Sequence, residues 1–141
     1  MEFTFGIITN PDYNNTGLIH QIIDSIELQK IEKYEIIIIG SIKLERKLTK
    51  IVNFNESIYP AWITKKKNII TQEAQYENIV YLHDYIKLDE GWYEGYLKYG
   101  NNFDVIVNKI IDENNQRWLD WILNKNFLEG KYILNGERKK V

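Results

Sequence analysis

Hydrophobic positions along the chain fall into short blocks that switch between two periods. Residues 3–10, FTFGIITN, form an apolar run closed by the turn signal Asn10-Pro11-Asp12, and predict a strand. From Gly17 to about Ile31 the spacing changes. Leu18, Ile19, Ile22, Ile23 and Ile26 share one helical face there, with Thr16 placed as its cap. Residues 34–40, YEIIIIG, are β-branched with no polar alternation, as a strand covered on both faces requires. Strand, helix and strand in this order predict a βαβ unit with a right-handed crossover.

Residues 50–54, KIVNF, predict a third short strand, residues 63–76 a helix, and residues 78–83, NIVYLH, a further buried strand. A short helix is expected over 92–100, ended by Gly100. Residues 103–111, FDVIVNKII, have strand propensity and lead into the turn DENNQ. Beyond Trp121 the pattern weakens. No internal repeat or low-complexity linker interrupts the chain. The alternation predicts an α/β fold, a mainly parallel sheet flanked by helices, in one domain spanning residues 1–141.

Composition narrows the chemistry. The 141 residues are 44% hydrophobic and 27% charged, with a net charge of −2, which gives no electrostatic reason to expect nucleic acid or an anionic membrane as partner. The absence of cysteine excludes disulfides and thiolate metal sites, and two histidines exclude an all-histidine zinc centre. Oxygen ligands for Mn²⁺ or Mg²⁺ remain. No apolar segment reaches the roughly 20 residues of a membrane span. The first ten residues lack the basic start and cleavage site of a signal peptide, so a cytoplasmic protein is expected. The aromatic content could leave an apolar patch exposed and favour a homodimer.

In open α/β sheets, ligands bind outside the carboxyl ends of the strands, near a topological switch point. Three predicted strands deliver candidate residues there: Thr9-Asn10, Gly40-Ser41 and His83-Asp84. Gly40 would let the backbone approach a ligand closely. The segment Thr64-Lys65-Lys66-Lys67-Asn68 puts three lysines in the first turn of a predicted helix, where the macrodipole disfavours cations. A bound diphosphate over the sheet edge would explain one of them, because helix N-terminal amides favour anions. A solvated basic corner is the plainer explanation for the other two. Asp84 is either a turn cap or the single carboxylate that Mg²⁺ or Mn²⁺ takes from a protein when phosphates supply other ligands. His83 suits a metal ligand, a phosphate donor or a structural group, and His20 a surface position.

The order of FTFGIITN, YEIIIIG, Lys67-Asn68 and IVYLHDY resembles the nucleotide-binding half of GT-A fold, family-two type glycosyltransferases. The resemblance extends through NKIIDENNQRWLDW, residues 108–121. It implies a GT-A-like, Rossmann-like domain that binds a nucleotide-diphospho-sugar, UDP- or GDP-linked, and transfers the sugar to a glycan or other hydroxyl acceptor. In these terms Thr9 and Asn10 touch the nucleotide, and Gly40 and Ser41 lie near the base. Lys67 and Asn68 replace an Arg-Asn pair, and Asp84, helped by His83, holds the metal. Trp118, Asp120 and Trp121 would border the sugar or acceptor, with Asp120 a candidate catalytic base. Three departures stand out. Gly40 replaces an aspartate common in the family, and the metal motif reads His83-Asp84-Tyr85. The chain is also expected to end before an acceptor-binding half. A non-catalytic nucleotide-sugar-binding module or partner subunit is therefore the alternative.

Overall fold

The computed structural model describes residues 1–9, 16–58, 60, 62–99, 104–118, 120–122, 131–134 and 137–140. The chain divides into two compact units, Met1–Gly100 and Asn101–Val141. The first contains strands β1 (Glu2–Ile8), β2 (Lys33–Ile39), β3 (Thr49–Val52) and β4 (Asn78–His83), with helices α1 (Thr16–Glu27), α2 (Ile63–Glu73) and α3 (Trp92–Tyr99). The second contains the short strands β5 (Asp120–Ile122), β6 (Lys131–Leu134) and β7 (Glu137–Lys140).

The four strands of the first unit form one all-parallel sheet in the order β3-β2-β1-β4, flanked by the three helices and compatible with a Rossmann-like fold. The pattern of β1 and β2 explains this arrangement. Phe3, Phe5, Ile7 and Ile36 to Ile39 are all fully or almost fully buried, so both faces of these strands need cover. Register assigns the faces. Phe5 lies beside Ile36 and Val80, while Gly6 lies beside Ile37 and Tyr81.

On the first face, Phe3 and Phe5 pack against Trp92 of α3, with ring centroids 5.4 and 5.6 Å away. Tyr93 and Tyr96 close edge-on over Phe3. Helix α1 buries Ile19, Ile22, Ile23 and Ile26; its Ser25 hydroxyl accepts from Leu88 N–H ahead of α3, and Gln29, just beyond the helix, donates to the Asp89 carbonyl and accepts from Tyr93 N–H in α3. On the second face α2 covers β1 and β2, seating Ile70 among Ile8, Ile37, Ile39 and Phe54. Gly6 makes this seat possible, because a Cβ there would stand 2.7 Å from Ile70 Cδ1.

Two helices stop short of the expected ends. After Glu27 the chain turns through Lys30, at φ 54°, which leaves Leu28 exposed and returns Ile31 to the core. Helix α2 stops at Ala74 because strand side chains capture the next amides: Gln75 N–H donates to Glu35, and Tyr76 N–H donates to the Thr4 hydroxyl at 3.1 Å.

Residues 104–110 form no strand, which corrects the expectation for 103–111 within what is described. Val105 and Val107 are exposed there, so β propensity alone did not secure a ladder. The expected DENNQ turn is present. Asp112 accepts from the amides of Asn114 and Gln116 at 2.9 Å, Asn115 adopts φ 59°, and Ile111 bridges Arg117. Strands β5, β6 and β7 pair antiparallel where the sequence was weakly patterned. Leu134 is in register with Glu137, and the sequence signal overlooked between them is Asn-Gly, a dipeptide that favours two-residue hairpin connections in general. Among the described residues no helix is long and apolar enough to cross a membrane.

The close seat of Ile70 yields a direct test. Gly6→Ala forces a methyl group into a fully buried contact and is expected to destabilise the protein by roughly 1–3 kcal/mol in denaturant unfolding. In an Ile70→Ala background, where the contacting side-chain atoms are gone, Gly6→Ala should cost less than it does alone.

Candidate functional site

Parallel pairing sets the site's location. Ile8 is in register with Ile39 on one side and with His83 on the other, and Ile39 with Val52. The residues that follow, Thr9, Gly40, Asn53 and Asp84, therefore leave the sheet at a common edge. Strands β2 and β3 lie to one side of β1 and β4 to the other, so the gap between the ends of β1 and β4 is the topological switch point.

The charges collect at the same place. Among the described residues the buried ionisable side chains are Lys66, 1% exposed, and Asp84, 7% exposed. Both belong to this carboxyl edge. Burying charge is costly unless it is compensated, so such positions are functional candidates.

Helix α2 brings the lysines in. Its first turn carries no acidic residue, and Trp62 at the N-cap makes no side-chain capping bond. Lys66 lies one turn before Ile70 on the same stripe, so the packing that buries Ile70 carries Lys66 inward. Its ammonium donates to the Thr9 carbonyl at 2.7 Å, pairs with Glu56, and stands 4.9 Å from the Phe54 ring centroid. Lys67 points elsewhere. Its Nζ lies 5.6 Å from the ring centroid of Tyr81, whose hydroxyl is 2.6 Å from Thr71 Oγ1 one turn further along the helix.

His83 is partly buried at the end of β4, its ring stacked on Tyr85 with centroids 5.4 Å apart. Burial, then the charge of Lys67, push its pKa below the usual 6.5, while Asp84 acts in the opposite direction. The imidazole is therefore neutral at pH 7, the form that can ligate a metal or accept a hydrogen bond. The His83 carbonyl accepts from Ile86 N–H at 3.0 Å, so a tight turn holds Asp84 at the edge.

The other expected site residues divide into those with internal roles and those without. Thr9 uses its polar groups inside the fold. Its hydroxyl donates to the Ile39 carbonyl at 3.0 Å and its amide to the same oxygen at 3.2 Å, while its carbonyl receives Lys66. Gly40, at φ 156°, accommodates Thr9, since a Cβ there would collide with Thr9 Oγ1. Ser41 Oγ lies 2.8 Å from Asn53 Oδ1 and ties β2 to the segment after β3. Asn68 is exposed on α2, and Asn10 lies outside the described residues. Asp120 and Trp121 open β5 in the second unit, where Trp118 is exposed and its amide donates to the Ile110 carbonyl.

Lys67 and Asp84 thus both act on His83, while Lys66 is held at the end of β1. The specific place of Lys66 was not anticipated, although its spacing from Ile70 carried the signal. Among the described residues no three His, Asp or Glu side chains gather as a complete metal set. One carboxylate and one neutral imidazole fit a cation whose shell is completed by water and an anionic ligand. Comparisons with protein-family models, curated proteins and solved structures found no match to this chain.

Two measurements check this electrostatic layout. The His83 titration followed by NMR should have its midpoint below 6.5 and move upward in Lys67→Ala. Because the unfolded chain takes up this proton more readily, the contribution of His83 to stability is present above pH 6.5. It is lost as the pH falls through the depressed folded value, and lost less in Lys67→Ala. Lys66→Met should cost roughly 2–4 kcal/mol in denaturant unfolding, the scale of a broken buried ion pair, whereas Lys67→Ala should change stability by less than about 0.5 kcal/mol.

Proposed function

We propose that the Met1–Gly100 unit binds a nucleotide-diphospho-sugar, UDP- or GDP-linked, in the manner of a GT-A fold glycosyltransferase, with Mn²⁺ or Mg²⁺ at Asp84. The observation that carries this reading is the meeting of Lys67, His83 and Asp84 at the switch point of an all-parallel sheet. Two features there call for one ligand that is both anionic and metal-binding. The N-terminal turn of α2 has no acidic residue of its own and presents amides and Lys67, and a carboxylate with a neutral imidazole stands at the adjacent strand end. A diphosphate meets both demands.

Within this reading Lys67 contacts the diphosphate directly, and Asp84, with His83 beside it, holds the cation. When bound, the cation supplies Lewis-acid stabilisation of the departing diphosphate. Lys67 adds a fixed positive charge on the protein side, in place before charge develops on the leaving group. The sugar then passes to a hydroxyl acceptor. Assigning the catalytic base to Asp120 rests on the sequence resemblance alone.

A binding-only module is the second reading. It is favoured by the spare ligand set among the described residues, one carboxylate and one imidazole, which suffices to hold a donor without activating it strongly. Slow hydrolysis of a UDP- or GDP-sugar by the wild type, absent in Asp84→Asn, separates an enzyme from a module.

Calorimetric titration of UDP and GDP with and without Mn²⁺ tests the proposal. Among the described residues too few protein ligands stand there for tight binding of the metal alone, so metal and nucleotide should each tighten the other by the same factor. Asp84→Asn should abolish that coupling and leave metal-free nucleotide binding largely intact. Lys67→Ala should weaken nucleotide binding by roughly 1–3 kcal/mol, the scale of a charge-assisted hydrogen bond. Equal wild-type affinity with and without metal would return Asp84 to the role of a turn residue.

A further inference from the structure

We infer that Lys66 is a positioning residue for the site: its buried ammonium fixes the carboxyl end of β1, and through it the nucleotide side of the switch-point cleft. Its side chain touches two separately built parts of the edge, and its backbone belongs to a third. It donates to the Thr9 carbonyl at 2.7 Å, pairs with Glu56 in the segment between β3 and α2, and faces the Phe54 ring at 4.9 Å. Its own backbone starts the helix that carries Lys67, with Lys66 N–H donating to the Trp62 carbonyl at 3.1 Å. One side chain therefore sets the distances among the end of β1, the segment after β3 and the first turn of α2.

Thr9 shows what this bond adds. Strand pairing with β2 already engages its amide and hydroxyl through the Ile39 carbonyl, but the Thr9 carbonyl has left the ladder. The ammonium supplies its partner. A hydrophobic side chain at position 66 would fill the same space against Phe54 and leave that carbonyl without this bond. Burying a charge where an apolar group would pack as well is the arrangement expected when geometry matters more than stability.

Lys66 and Lys67, adjacent in sequence, thus have separate tasks. Lys66 faces inward and holds the frame, and Lys67 faces Tyr81 and His83 and meets the ligand. Glu56, only 13% exposed on its side chain, neutralises the inner lysine, so the net positive charge offered to an anion comes from Lys67.

The decisive variant is the double substitution Lys66→Met with Glu56→Leu, which replaces the ion pair by packed apolar groups and is expected to keep wild-type stability. Two readouts apply to it: exchange of the Thr9 amide proton, and affinity for UDP with Mn²⁺. The expected result is at least tenfold faster Thr9 exchange, together with at least tenfold weaker UDP binding, at unchanged global stability. Glu56→Gln retains an acceptor for the ammonium and should keep both readouts within about threefold of wild type. A stable double variant with wild-type Thr9 protection overturns the inference. Lost protection with undiminished UDP affinity overturns its link to the ligand site. The functional half of the inference rests on the nucleotide reading, and the two fail separately. If the wild type binds neither UDP nor GDP, that reading falls, while Thr9 exchange still decides whether Lys66 sets the strand end. If the double variant does not fold, Lys66→Met, measured below its unfolding midpoint, gives the same two quantities, and wild-type values of either one overturn the same half of the inference.

Discussion

Central strand β1 is hydrogen-bonded in parallel to β2 on one side and β4 on the other, and the rest of the first unit follows from that constraint. Parallel partners cannot be joined by a tight turn, so each connection must cross a face of the sheet. Helices then cover both faces, and the middle strands become continuous apolar runs. The same constraint sends every strand end to one edge. Thr9, Gly40, Asn53 and Asp84 become neighbours there although they are spread over 76 positions of the chain. No pairwise attraction among these four residues is needed to gather them.

That edge is also where the buried charge lies, and the two facts share a cause. Helix α2 runs back across the sheet, so its N-terminal turn arrives at the carboxyl edge while its middle packs Ile70 against Gly6. A stripe that is apolar at position 70 continues one turn earlier at position 66, where the chain has a lysine. Burying that ammonium costs desolvation, which the Thr9 carbonyl, the Glu56 carboxylate and the face of Phe54 offset. Rotation by about 100° along the helix turns Lys67 away from this cluster and toward β4. Two adjacent lysines thereby meet opposite environments.

The electrostatics of His83 link this geometry to the proposed binding. Burial, and then the charge of Lys67, keep the ring neutral, and Asp84 tempers that effect. A positive and a negative group therefore both act on one neutral ring at the switch point. Such an arrangement suits a ligand that carries its own negative charge and shares a cation with the protein. It suits a free cation less well, because Lys67 would repel it.

The sequence by itself determined the local elements and their order. Unbroken β-branched runs marked β1, β2 and β4, and the isoleucine spacing marked α1, because burial of two sheet faces or one helix stripe leaves a direct imprint on residue pattern. Thr9, His83 and Asp84 were legible as strand-end residues for the same reason. The tertiary structure decided matters that depend on which surfaces meet. Gly40 could be read only as permissive for a close approach; the approaching group is Thr9, a neighbour set by register. Residues 104–110 have the propensity of a strand but no ladder, since propensity does not provide a partner edge. The choice between Lys66 and Lys67 could not be made from an unbroken lysine run, in which every position has the same chemistry. It was made by packing: the contact of Ile70 with the sheet fixes the rotation of α2, and that rotation buries one ammonium and leaves the next facing Tyr81 near His83.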